Sequence, residues 1–259
     1  VSNSQNRETM ELASAIALHL SATCGDVFNV QIVPPGWIHF ELTDSALAGW
    51  LQRLVGEWED REMGRLVLSE AVSAASRREV WGDEGAKTAG GAGEAGGERI
   101  TNAQCPMPNA LFPIQHAHAR CCSLVLLAHR ERLIQLKEPL ANSSPSFWSV
   151  ISPNPIPWLN CDGKLQLNHP DERRLISELV EVVDNIQFPD IRGSVKWEKA
   201  ALNLSQAFEN LWCNCRIWGE VKIISPKLAQ ARLGLLMATQ SVLKFVLEEK
   251  LKIFAPLEL

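Results

Sequence analysis

The sequence predicts a mainly α protein, in which a small α/β module and a flexible linker precede an all-α helical bundle. Three observations carry this reading. From about Leu111 onward, apolar residues recur at alternating spacings of three and four, the period of helices that bury one face. Residues 82–97 hold seven Gly in sixteen positions, which offers almost nothing to bury and reads as a linker. Ahead of them, a helical pattern gives way to two short runs of strand type and then to a second helical pattern. The division that follows is residues 1–75 for the module, 76–110 for the linker and 111–259 for the bundle.

The first helix is expected over residues 8–22, with Leu12, Ile16 and Leu20 on its core face. Val27–Ile32 and Trp37–Leu42 read as strands about the turn Pro34-Pro35-Gly36. A second helix opens near Ser45, buries Leu47, Leu51, Leu54 and Val55, and has a pattern that can extend to about Ala75. In the bundle, the first helix places Ala117, Cys121, Leu124 and Ala128 on one side. Five prolines between 139 and 157 then impose an irregular excursion, since proline removes a backbone donor. A helix restarts at Pro170-Asp171-Glu172, where proline and acids suit a first turn, with Ile176, Leu179, Val183 and Ile186 inward. Two more follow, one on Trp197, Ala201, Leu204, Phe208, Leu211 and Cys215, the other on Ala231, Leu235, Ala238, Val242 and Phe245. Long amphipathic helices without strands make a bundle.

Composition narrows the function. No run of 18 apolar residues suggests a membrane span, and the opening residues lack signal-peptide architecture. Seven scattered Cys give no disulfide framework, so a cytoplasmic, reducing location is expected. The net charge of -5 divides unevenly: residues 1–111 carry 8 Lys/Arg against 15 Asp/Glu, and residues 112–259 carry 17 against 15. Only the second part is basic, by +2, which argues against tight, promiscuous RNA binding. The aromatic set is nine Trp, eight Phe and no Tyr.

Specific strings go beyond periodicity. Gln115-His116-Ala117-His118-Ala119-Arg120 resembles the Gln-Tyr-Ala-His-Ala-Arg signature of arginyl-tRNA synthetases, found in the first helix of their DALR anticodon-binding domain. Ala207-Phe208-Glu209-Asn210-Leu211-Trp212 is similar to that domain's Ala-Phe-x-x-Phe-Tyr, and Ile253-Phe254-Ala255-Pro256-Leu257-Glu258-Leu259 to its Ile-x-Ala-Pro-Glu-x-Met ending. The strings occur in the family's order. Arg7-Glu8, Leu12-Ala13 and Pro35-Gly36-Trp37-Ile38-His39-Phe40 resemble the second half of the family's N-terminal domain. The family's ATP-handling motifs, His-Ile-Gly-His and Lys-Met-Ser-Lys-Ser, have no recognisable counterpart, and no Gly-rich phosphate loop replaces them. The resemblance therefore implies a partner class, tRNA, without an activity or a cofactor.

It also implies contact residues: Gln115, His116 and Arg120 on the first bundle helix, Trp212 and Arg216 near the Phe-Tyr segment, and Trp37 and His39 at the positions by which the N-terminal domain touches the tRNA elbow. His116 and Trp212 replace the family's tyrosines, and Leu259 its terminal Met. An aromatic ring can stack on an unpaired base of a single-stranded loop. Against this stands burial of Arg120 and Trp212 as core residues. His116, His118, Cys121 and Cys122 crowd together, but the paired spacings of zinc sites are absent, so packing is the expected role and no metal is expected. Cys213 and Cys215 are expected as core filler. Glu248 and Glu249 fit a solvated helix end, and no catalytic set stands out.

The function expected is that of a non-catalytic accessory protein that holds tRNA, with a tRNA-modifying enzyme or another protein as a further partner. The alternative is a protein–protein adaptor that reuses the former tRNA surface. The alternative gains weight where Arg120, Lys222, Lys227 and Arg232 fail to share one exposed face.

Overall fold

A computed structural model describes residues 2–55, 108–137, 150–188 and 195–258. The protein is mainly helical. Helix α1 (Ser2–Cys24) leads into an antiparallel hairpin of β1 (Phe28–Val33) and β2 (Trp37–Leu42), registered Phe28 to Leu42 and Val33 to Trp37. Gly36 closes the turn at φ +146°, a backbone region that favours glycine. Helix α2 (Asp44–Val55) follows, then α3 (Pro108–Arg130), the short pair β3 (Gln135–Leu136) and β4 (Val150–Ser152), α4 (Pro170–Gln187), α5 (Trp197–Asn214), α6 (Glu220–Ile224) and α7 (Pro226–Phe245). A π-helical turn, Val246–Lys250, ends α7. The expected linker and any extension of α2 beyond Val55 lie outside the described residues.

The predicted inner faces of three bundle helices are buried. They are Ala117, Cys121, Leu124 and Ala128 on α3; Ile176, Leu179, Val183 and Ile186 on α4; and Ala201, Leu204, Phe208, Leu211 and Cys215 on α5. Helix α7 differs from its expected single face. It is buried on every side from Ala231 to Leu243, because α2, α3, α4 and α5 all pack around it. Helix α2 thus shares the bundle's core through Leu51 and Leu54. Gln52 reinforces this docking, its Oε1 accepting from the Ile156 backbone N–H and from Trp158 Nε1, both at 2.9 Å. Trp158 lies against Gly234 of α7, where an added Cβ would stand 2.5 Å from its ring.

Three further expectations change. On α1 the buried residues are Ala13 and Ala17, while Leu12 and Ile16 are exposed, since small side chains let the helix lie close on the hairpin. The region after Leu111 is not free of strands: β3 pairs with β4, and Leu159 bridges Leu165. Cys213, in the last turn of α5, is exposed, while Cys215, which caps the helix in extended backbone, is buried.

Candidate nucleic-acid interface

The three strings singled out by the sequence meet in space. Helix α3 presents Gln115, His116, His118 and Arg120 in a span of less than two turns. Gln115 Nε2 donates to the Phe254 carbonyl at 3.0 Å, and His118 Nδ1 lies 2.8 Å from the Pro256 carbonyl. The C-terminal string is thereby fastened to α3. Arg120 extends in the other direction, its guanidinium 5.0 Å from the centre of the Trp212 ring on α5.

His118 is fully buried and its protonation is set by its neighbours. A carbonyl only accepts, so Nδ1 carries the proton and donates to Pro256. Nε2, 3.0 Å from the Gln240 amide nitrogen, then accepts from it. Burial lowers the His118 pKa, opposed by the Pro256 hydrogen bond and assisted by Lys244. Cys122 Sγ is 3.9 Å from both ring nitrogens, which are already engaged by the Pro256 carbonyl and the Gln240 amide. Among the described residues, no three His, Cys, Asp or Glu side chains group as metal ligands. Burial pushes the Cys122 thiol up to about 12 and the Cys121 thiol well above its usual range, so neither is a nucleophile near neutral pH.

The outer rim is wetter. His116, Ala119, Arg120, Ser123 and Leu124 line a shallow cavity of about 300 Å³. His116 is half-buried, stacks on the exposed ring of Phe112 with centroids 5.9 Å apart, and lies 3.4 Å from the Glu209 carboxylate. Trp212 is half-buried. Arg120 covers one face of its ring, and Trp218 meets it edge to face at 5.9 Å. The surface offered outward is therefore a guanidinium stacked on an indole, flanked by an imidazole and a phenyl ring.

The other expected contact residues do not line this cavity. Arg216 is exposed just beyond α5, and its carbonyl accepts from Arg232 Nη1. Trp37 and His39 are exposed on one face of β2, two residues apart. Gln115 commits an amide donor to the Phe254 carbonyl. Phe112 and Glu209 were absent from the expected set, although Phe112 precedes His116 by four residues and so shares its helical face. The proposed basic face does not form. Arg232 is buried, bound through Nε to Glu172 Oε1 at 2.6 Å, and Lys222 pairs with Glu131 at 2.6 Å.

Comparison with known proteins gives one family. The chain is 30% identical over 149 residues, 57% of its length, to an arginine–tRNA ligase of Synechococcus sp. (strain JA-3-3Ab). It is 30% identical over 137 residues to an arginine–tRNA ligase of Gloeobacter violaceus. These matches span 22% and 20% of the relatives' own lengths, so the likeness is to about one fifth of each ligase. No protein-family model matches the chain, and no solved structure does. Among the described residues, no helix is long and apolar enough to cross a membrane.

Proposed function

We propose that the chain is a tRNA-binding accessory protein that holds an anticodon arm on a DALR-type bundle and carries out no bond chemistry of its own. The observation that supports this most is the convergence of the three strings: Arg120 stacks on Trp212, and the C-terminal string is fastened to the same helix. A guanidinium plane and aromatic rings are the groups on which unpaired bases stack. In the adjoining core, His118 is held neutral with both ring nitrogens occupied, and the neighbouring thiols stay protonated, so the cluster suits recognition rather than catalysis.

Affinity comes from a few phosphate contacts and from stacking, because the excess charge of residues 112–259 is only +2. A stacked base at Trp212 is worth on the order of 1–3 kcal/mol, so Trp212→Ala weakens tRNA binding roughly tenfold or more. The test is tRNA affinity for wild type and Trp212→Ala, with circular dichroism showing that the variant folds. Equal affinity of the folded variant, or wild-type binding no tighter than to unrelated RNA, overturns the stacking model. Pyrophosphate exchange with arginine and ATP above background would overturn the non-catalytic part.

A second reading, the protein–protein adaptor, is favoured by the burial of Arg232 and the pairing of Lys222, which leave Arg120 and Lys227 without a shared basic face. Glu209 beside His116 adds negative charge where RNA would lie. Failure of tRNA binding with a folded wild-type chain places this reading first.

A further inference from the structure

A second basic site lies at the far end of α3. His129, Arg130, Arg132, Gln135, Leu136 and Lys137, with Ile151 opposite, line an open groove of about 830 Å³. Arg130, Arg132 and Lys137 are exposed, and among the described residues none of them forms an ion pair. Of the two acids adjacent in sequence to these cations, Glu131 does not line the groove and pairs with Lys222 at 2.6 Å, and Glu138 lies outside the described residues. The Leu136 backbone N–H donates to His129 Nδ1 at 3.2 Å, so the neutral ring keeps its proton on Nε2 and adds a further donor. The groove is thus lined by donors, with apolar walls at Leu136 and Ile151.

The backbone adds a second observation. Arg132 sits at φ 57°, in the left-handed region, just past the end of α3. The Leu133 N–H returns to the Ala128 carbonyl at 2.9 Å and closes the helix in the manner that normally recruits glycine. An arginine at this position is strained where glycine would not be. The C-terminal carbonyls of α3 alone would repel an anion. Three cations reverse that field, and one of them is kept at a conformational cost.

We infer that this groove binds the phosphodiester backbone of RNA. It lies on the same helix as Arg120: ten residues from Arg120 to Arg130 advance about 15 Å along the axis and turn the side chain by roughly 80°. That distance is covered by a few nucleotides, so one strand stacked at Trp212 reaches the groove with its phosphates. The contact is independent of sequence, since phosphates position a strand without reading it. The identity of the polyanion rests on the tRNA-binding reading above. Serving the backbone, the groove supplies charge that the rim at Arg120 lacks.

The test measures binding of fluorescein-labelled tRNA and of labelled oligouridine across a salt series. It compares wild type, Trp212→Ala, Arg130→Gln/Lys137→Gln and Arg132→Gly. Each lost phosphate contact makes the slope of log affinity against log salt shallower by about 0.7–0.9. The double variant therefore loses about 1.4–1.8 of slope with both RNAs. Arg132→Gly raises the thermal midpoint, because the strain is relieved, and still makes the slope shallower by about one contact. Trp212→Ala leaves the slope unchanged while weakening tRNA binding. An unchanged slope in the folded double variant overturns the groove, whatever Trp212→Ala does. A shallower slope with no effect of Trp212→Ala keeps the groove and removes the anticodon-stacking model. Wild type that binds neither RNA overturns both.

Discussion

His118 links the α3 signature to the C-terminal string, and its protonation should be felt in the stability of the whole fold. Its folded pKa is lowered from the ordinary 6.5, chiefly by burial. The folded protein therefore binds this proton less readily than the unfolded chain does. The contribution of neutral His118 is fully present above the unfolded pKa and is lost as pH falls below 6.5, toward the folded pKa. The slope of this loss is bounded by about 1.4 kcal/mol per pH unit, the limit for one proton. The hydrogen bond from Gln240 acts in the same direction as burial: a second proton on Nε2 would face the donating amide nitrogen. Replacing the ring removes this dependence. His118→Ala also strands the Pro256 carbonyl and the Gln240 amide and leaves a cavity, at a cost of roughly 3–5 kcal/mol. Urea unfolding of wild type and His118→Ala at about pH 7.5 and pH 5.5, on either side of the ordinary histidine pKa, measures both effects, and exposed histidines cancel in the difference. Wild type should lose more stability than the variant on acidification. Parallel losses in the two proteins would refute the buried, neutral assignment.

Two further substitutions test the core. Glu172→Gln leaves the Arg232 guanidinium buried without its counter-ion, and denaturant unfolding should show a loss of roughly 3–5 kcal/mol. Gly234→Ala drives a Cβ into the Trp158 ring, which Gln52 holds in place, so the thermal midpoint should fall by the equivalent of about 1–3 kcal/mol.

The parts of the fold legible in the sequence are those where burial is one-sided. On α3, α4 and α5 the apolar residues trace a single helical stripe, so Leu179 and Phe208 were placed inward by spacing alone. The hairpin was equally clear, because Pro34, Pro35 and Gly36 interrupt two β-branched and aromatic runs. Periodicity is silent where burial is not one-sided. Helix α7 is enclosed all round, so the stripe read from Ala231 to Phe245 marks only part of its buried surface and not its role as the centre of the bundle. On α1 the contact is made by Ala13 and Ala17, and the larger Leu12 and Ile16, which dominated the pattern, face outward. The docking of α2 depends on Gln52 meeting Ile156 and Trp158 more than a hundred residues later, a contact no local window contains. The candidate interface was legible in a different way. Gln115, His116, Arg120 and Trp212 were found through the resemblance of their strings, and the structure brings those strings together. The burial of Arg232 was not legible in the sequence, because the Glu172 that draws it inside lies sixty residues earlier.

The central claim, that the rim formed by α3 and α5 receives an RNA loop, is tested most directly by ultraviolet cross-linking of the full chain to tRNA, with the linked peptides read by mass spectrometry. Cross-links should concentrate on the peptides carrying Phe112, His116 and Trp212, and on the tRNA side they should fall in the anticodon loop. Cross-links confined to other surfaces, such as Trp37 on the hairpin, or the absence of any above those formed with unrelated RNA, would contradict the account.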